Sequence, residues 1–189
     1  MPDSELGRRL VHAAGGFPAA LYLLNWAAWP TIRLLYLAGV ALAVALEAAR
    51  LVGRVDWWVY RELTREYEQD NPAGYALYVV GAAVAVLAFA PAVALPAILM
   101  LAIVDPVSGL LSSDERRPVK RPLVLAVTFT LSLAIAWPFV PPHAAAAGAA
   151  LATLADGATP EVRGHVVDDN LGIPVGAAVA MWAALRLPF

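Results

Sequence analysis

Asp105 stands near the end of the run LPAILMLAIVDPVSGL, residues 95–110, whose other side chains are apolar, small or a single hydroxyl. A carboxylate in hydrocarbon costs at least ~2.5 kcal/mol even on a lenient insertion scale, so such a group faces other helices or a wet cavity. Asp105 is therefore a site residue by default, a structural aspartate below the headgroups being the plainer reading. Asp168, Asp169 and Asn170 form a second polar group where another apolar run begins. Adjacent carboxylates with an amide are good oxygen ligands for Mg²⁺, a hard cation that normally arrives on nucleotide phosphates. A helix N-cap by one of them is the common alternative. Asp105, Asp169 and Asn170 are the expected metal ligands.

Cationic groups that could meet phosphates lie elsewhere in the chain. Arg8 and His12 in ELGRRLVHAAGG are four apart and share a helix face. A guanidinium forks onto a phosphate, and an imidazole can donate to it or relay a proton. Arg116, Arg117, Lys120 and Arg121 collect in SSDERRPVKRP, either as a polyphosphate cradle or as a topology signal. The stretch from about Val55 to Glu68 suits a helix along a membrane surface, anchored by Trp57, Trp58 and Tyr60. Its charged face carries Arg61, Glu62, Arg65, Glu66 and Glu68. Arg65 is a candidate phosphate ligand, and Glu66 joins Asp105 and Asp169 as a candidate catalytic carboxylate. Glu47 and Arg50, three apart in LEAAR, pair on one face and serve to position helices.

The elements that must hold these groups are apolar helices. The 189 residues are 61% hydrophobic and 15% charged, and the mean hydropathy is +0.68, too apolar for a soluble domain of this size. Cuts at charges and prolines leave apolar blocks at 10–29, 31–49, 74–90, 91–111, 122–140, 143–159 and 170–187. Most approach the ~20 residues that cross a hydrocarbon core as a helix. An all-α, polytopic protein of about seven transmembrane helices plus a cytoplasmic interfacial helix follows, in one domain. Six spans with a re-entrant piece at the Ala90-Pro91 break is the variant. The first block reads as a span and not as a cleaved signal, because Arg8, His12 and Gly15 belong with the site. In this threading all 13 Lys and Arg except Arg33 and Arg186 fall on one face, which the positive-inside rule makes cytoplasmic. Glu47, Asp105 and Asp156 lie near the cytoplasmic ends of their spans, and the other acids are in cytoplasmic segments.

Several classes are excluded or left open by composition. With no cysteine there is no disulfide framework, thiolate site or Cys nucleophile. His143 on the opposite face and His165 in a loop argue against a histidine zinc site. No Walker or Rossmann phosphate loop occurs, and no basic run interleaved with aromatics suggests nucleic acid.

The order ELGRRLVHAAGG, LEAAR, LTREYE followed by GY, LAIVDPVSG, and TLAD followed by DDNLGIP resembles the dolichol kinase and phytol kinase family of CTP-dependent polyprenol kinases. The likeness spans nearly the whole chain. By this resemblance Arg8, His12, Glu47, Arg50, Arg65, Glu68, Asp105, Gly109, Asp169, Asn170 and Pro174 occupy family-motif positions. The chain departs at Val104, where the family has glycine, at Asp156, where it has glutamate, and around Lys120, where VKRPLV replaces a lysine with a Glu-Gly-Ser-like turn. The resemblance implies a membrane kinase moving the γ-phosphoryl group of CTP, or another nucleoside triphosphate, to an isoprenoid alcohol. Asp105 and Asp169 would then hold Mg²⁺ or orient the hydroxyl, with Asn170 in support, and Arg8, Arg65, Lys120 and Arg121 would meet phosphates. The rival expectations are a CTP-dependent cytidylyltransferase acting on a phosphorylated lipid, and a carrier or scaffold without chemistry. Prenol length, oligomeric state and the identity of the base are not legible in the chain.

Overall fold

A computed structural model describes residues 12–52, 57, 60, 71–112, 119–158, 161–162, 165–166 and 168–187. In chain order they form α1 (Phe17–Leu23), α2 (Trp29–Leu51), α3 (Gly74–Ala88) and α4 (Pro91–Leu99). A π-helical turn (Met100–Val104) leads into α5 (Asp105–Leu111), followed by α6 (Pro122–Ala136), α7 (Pro142–Gly157), a hairpin of Glu161–Val162 with His165–Val166, and α8 (Asp169–Ala184). Prolines set where most of them begin, with one in the first turn of α1, α2, α4, α6 and α7. There the missing N–H is one that would have had no intrahelical partner.

Pro106 does not break the chain's helical course, contrary to expectation, since α4, the π turn and α5 run on to Leu111. A proline ring crowds the carbonyl four residues back and offers that turn no N–H. The chain answers by widening the turn just before it, where the Asp105 N–H donates to the Met100 carbonyl five residues back.

Helix α8 is the centre of the packing, flanked by α7, α3 and α4, while α6 lies on α7, α2 on α3, and α1 on α2. Small residues let the backbones close in: Ala145, Ala149, Ala177 and Ala178 are fully buried. At Gly81 in α3 a methyl would stand 2.7 Å from the Asn170 carbonyl oxygen and 2.9 Å from Pro174 Cγ, so only glycine lets α3 touch the first turn of α8.

The all-helical expectation holds, apart from the two-residue strands. The seven-span expectation is wider than the helices described. Two elements are long and apolar enough to cross a membrane, Trp29–Leu51 with 23 residues and Pro91–Leu111 with 21. Among the described residues of the first block, helical residues 12–14 are followed by a turn and the 7-residue α1, which ends where the chain turns back at Asn25, whose φ is 58°. α3 and α6 have 15 residues, and α7 and α8 have 16. At 1.5 Å per residue these reach roughly 22–24 Å, short of a ~30 Å hydrocarbon core. α2 turns much of its apolar surface outward, with Leu34 65%, Leu42 61% and Val44 60% exposed. The expected surface helix near 55–68 falls mostly outside the described residues. Trp57 and Tyr60 stack there with ring centroids 5.8 Å apart, and the Tyr60 hydroxyl donates to the Leu46 carbonyl.

Gly81→Ala should lower the Tm in detergent by several degrees, since overpacking a helix contact costs about 1–3 kcal/mol. Gly176→Ala is the control, because its methyl would meet nothing nearer than Leu151 Cβ at 4.0 Å. That variant should leave Tm unchanged or raise it through helix propensity. Equal losses in thermal unfolding would contradict the close approach at Gly81.

Candidate functional site

Asp156 is a carboxylate near the end of α7 and only 4% exposed. A buried charge is tolerated only when it is paired and hydrogen-bonded, and three separate segments supply the partners. Lys120 Nζ lies 2.7 Å from Oδ1, Ser108 donates to Oδ2 at 2.6 Å, and Thr128 reaches Oδ2 at 3.3 Å. Lys120 also donates to Ser108 Oγ at 2.9 Å. The lysine is delivered by its backbone: Val119 bridges Ala158, and the Lys120 N–H donates to the Gly157 carbonyl at 3.0 Å.

Asp105 and Asp169 join this group. One oxygen from each of Asp105, Asp156 and Asp169 lies within 4.8 Å of the others. The N-cap of α8 is made by the neighbouring Asp168, which accepts from the Asn170 N–H at 2.9 Å and from Asn170 Nδ2 at 2.6 Å. Asn170 Nδ2 also lies 3.3 Å from Asp169 Oδ1. Its amide nitrogen, not its oxygen, therefore faces the carboxylates, which makes Asn170 a brace for Asp169 where the sequence suggested a metal ligand.

Three carboxylates meet here beside the Lys120 ammonium. At about 5 Å and an effective dielectric of about 20, each like-charged pair repels by roughly 3 kcal/mol. A Mg²⁺ ion with oxygens at ~2.1 Å holds its ligands roughly 3–4 Å apart, so the cluster needs only small side-chain adjustments to take one. The donor set is all hard oxygen, which suits Mg²⁺ or Ca²⁺ better than a softer metal. Asp156 is the member of the three that is engaged by Lys120, Ser108 and Thr128.

On the other side of Asp105 stands His12, with Nε2 3.1 Å from Oδ2 at an angle outside hydrogen-bond geometry. The His12 ring meets Tyr78 edge to face, centroids 4.6 Å apart. The Tyr36 hydroxyl donates to the Gly15 carbonyl at 3.0 Å, tying the turn after His12 to α2.

The structure thus brings together Asp105, Asp169, Lys120 and His12 of the residues expected from sequence, with Asn170 beside them. Arg121 stands at the N-cap of α6. Arg8, Arg65 and Glu66 lie outside the described residues, as do Arg116 and Arg117. Glu47 and Arg50 do act as a helix brace. Arg50 Nη2 is 2.6 Å from Glu47 Oε2 and 2.6 Å from the Asn71 carbonyl, and Glu47 accepts from the Ala73 N–H and the Tyr75 hydroxyl. Asp156, Ser108, Thr128 and Tyr78 were not among the expected site residues. For Asp156 the signal was the one that marked Asp105, an acid in an apolar helix. Ser108 was legible only as the i+3 neighbour of Asp105.

Removing the counter-ion of a buried carboxylate is costly, so Lys120→Met should destabilise by roughly 3 kcal/mol, on the order of 6–12 °C in Tm. Adding Asp156→Leu should recover most of that loss. A double variant no more stable than the single one would show that the two charges are not coupled.

Compared with known proteins, the chain matches no family model, no curated protein and no solved structure.

Proposed function

We propose that the chain is an integral membrane kinase that transfers the γ-phosphoryl group of CTP, or another nucleoside triphosphate, to the hydroxyl of an isoprenoid alcohol at the cytoplasmic leaflet. The observation that carries the reading is the meeting of Asp105, Asp156 and Asp169 within 4.8 Å beside the Lys120 ammonium. Phosphoryl transfer asks for positioning and charge neutralisation more than for covalent chemistry. This set of groups can provide both. The resemblance in motif order adds the substrate class, an alcohol with an apolar tail and a cytosolic nucleotide.

A divalent cation held by Asp105 and Asp169 would neutralise phosphate charge. Lys120, already oriented by Asp156 and Ser108, is placed to meet a phosphate oxygen. As the alcohol oxygen bonds to the γ-phosphorus, the bond from that phosphorus to the nucleoside diphosphate breaks, and the hydroxyl proton passes to a carboxylate. Asp105 is the carboxylate with an imidazole beside it to take that proton onward.

A bilayer setting with alternating crossings, the short α1 beginning the series, is part of this proposal. Support comes from the end away from the acids. Trp26 in the α1–α2 turn is 72% exposed, Trp137 at the end of α6 58%, and Trp182 in the last turn of α8 40%. Exposed tryptophans at helix ends are what a membrane interface selects. The arginine count then turns the acidic end toward the cytoplasm.

The test is a membrane assay with a prenol panel and CTP labelled at either the γ- or the α-phosphorus. Label from the γ position is expected in the lipid, and Asp105→Asn is expected to reduce transfer at least ~100-fold. Entry of the α label instead would replace the kinase with a nucleotidyl transferase. No transfer of either label would remove the enzymatic reading.

A further inference from the structure

Tyr78 is 3% exposed, yet its hydroxyl meets no hydrogen-bond partner among the described residues. An unpaired buried hydroxyl carries a desolvation cost, and phenylalanine would fill the same space without it. The ring is held firmly where it is. Gly15 packs so closely on it that a methyl there would overlap the phenol, and His12 abuts it edge to face. His12 in turn stands against Asp105, whose Oδ2 is 3.1 Å from His12 Nε2.

Three polar groups of different capacity thus face one another. The phenol gives and accepts a hydrogen bond, the carboxylate accepts, and the imidazole nitrogen does either according to its proton. A ligand that both accepts and donates satisfies the set whatever the state of the imidazole, accepting from Tyr78 and donating to Asp105 or His12. A carbonyl cannot donate, an ammonium cannot accept, and a phosphate would be repelled by the neighbouring carboxylates. A hydroxyl can do both. Beside the site the chain is apolar: Gly16 lies against Ala102, so that a methyl on it would stand 2.7 Å from the alanine Cβ. Phe17 and Ile103, the next residues along each segment, are 60% and 46% exposed.

We propose that Tyr78 and His12, with Asp105, form the subsite for an alcohol hydroxyl, and that Phe17 and Ile103 flank the path of its apolar tail. The proposal rests on the kinase reading and locates the acceptor within it. Tyr78 is a binding residue here, donating to the alcohol oxygen, while Lys120 and Asp169 serve the phosphate side.

The experiment measures the Tm of the full chain in detergent with geranylgeraniol and with the hydrocarbon of the same skeleton, for the wild type and for Tyr78→Phe. The alcohol should stabilise the wild type more than the hydrocarbon does. In Tyr78→Phe that difference should vanish, while Tm without ligand stays at or above the wild-type value. An equal alcohol preference in both proteins overturns the proposal. So does a wild type that responds alike to alcohol and hydrocarbon, since the polar set is then satisfied by water alone. A Tyr78→Phe protein that fails to fold also overturns it, because the hydroxyl would then have a structural partner. In the labelled-CTP assay Tyr78→Phe should raise the KM for prenol by roughly two- to tenfold, with the KM for nucleotide unchanged. If the wild type transfers no label but keeps its hydroxyl-dependent stabilisation, the kinase reading fails and the subsite stands.

Discussion

Asp156 is the group on which the arrangement depends. Its carboxylate is almost fully enclosed, and no single neighbouring helix can satisfy two oxygens. The partners come from α5, from Lys120 two residues ahead of α6, and from the second turn of α6. Each bond therefore fixes one segment against α7, and losing a partner leaves a lone pair or an ammonium in a place where water cannot replace it. Lys120 is the best anchored of them because its backbone is bonded to the end of α7 as well as its side chain. The ammonium is aimed by main chain, so its position does not rely on the rotamers of a long side chain alone.

The orientation of Asp105 has a different origin. In an α-helix each residue advances the side-chain direction by about 100°, so a turn that takes one extra residue rotates everything after it by that amount. The π turn at Met100–Val104 does this immediately before Asp105. Asp105 and Ser108 are three apart and move together, one to the carboxylate cluster and the other to Asp156. Pro106, which cannot donate an N–H, is what makes the widened turn affordable at that point. On α8 the division of labour is made by capping. Asp168 satisfies the exposed N–H groups of the first turn, leaving the adjacent Asp169 to face the cluster.

Much of this was legible in the sequence where a residue contradicts its surroundings. Asp105, Lys120, Asp169 and His12 stood out as polar groups at the ends of apolar runs, and the same contradiction brought them together in space. Helix starts were legible at the prolines, with Pro91 and Pro122 beginning helices where the cuts were made. Helix lengths were not. Hydropathy scores apolar residues alike whether they lie in a helix or in the turn beyond it, so the block at 10–29 hid the reversal at Asn25. The roles of Ser108 and Thr128 were hidden for another reason: Ser and Thr hydroxyls in apolar helices usually bond their own backbone, as Thr130 and Thr153 do here. Nothing in the spacing separates those from hydroxyls spent on a distant carboxylate. The amide orientation of Asn170 depends on two neighbouring carboxylates and has no counterpart in sequence.

The two ends of the helices treat their cations differently, and the difference bears on why charge gathers at one of them. At the far end Arg33 bonds the Val86 carbonyl, and the Arg186 guanidinium lies 3.4 Å from the centroid of the Trp182 ring. Both are accounted for by helix ends and an aromatic face. At the acidic end Lys120 is held inside by an almost fully enclosed carboxylate and a hydroxyl. A signal that merely orients a chain in a membrane works through lysines and arginines exposed in loops and needs no acid at all. It has no use for an ammonium locked to Asp156, still less for Asp105 and Asp169 drawn in beside that pair. Assembling these acids from three helices carries a desolvation and repulsion cost that a topology signal does not ask for.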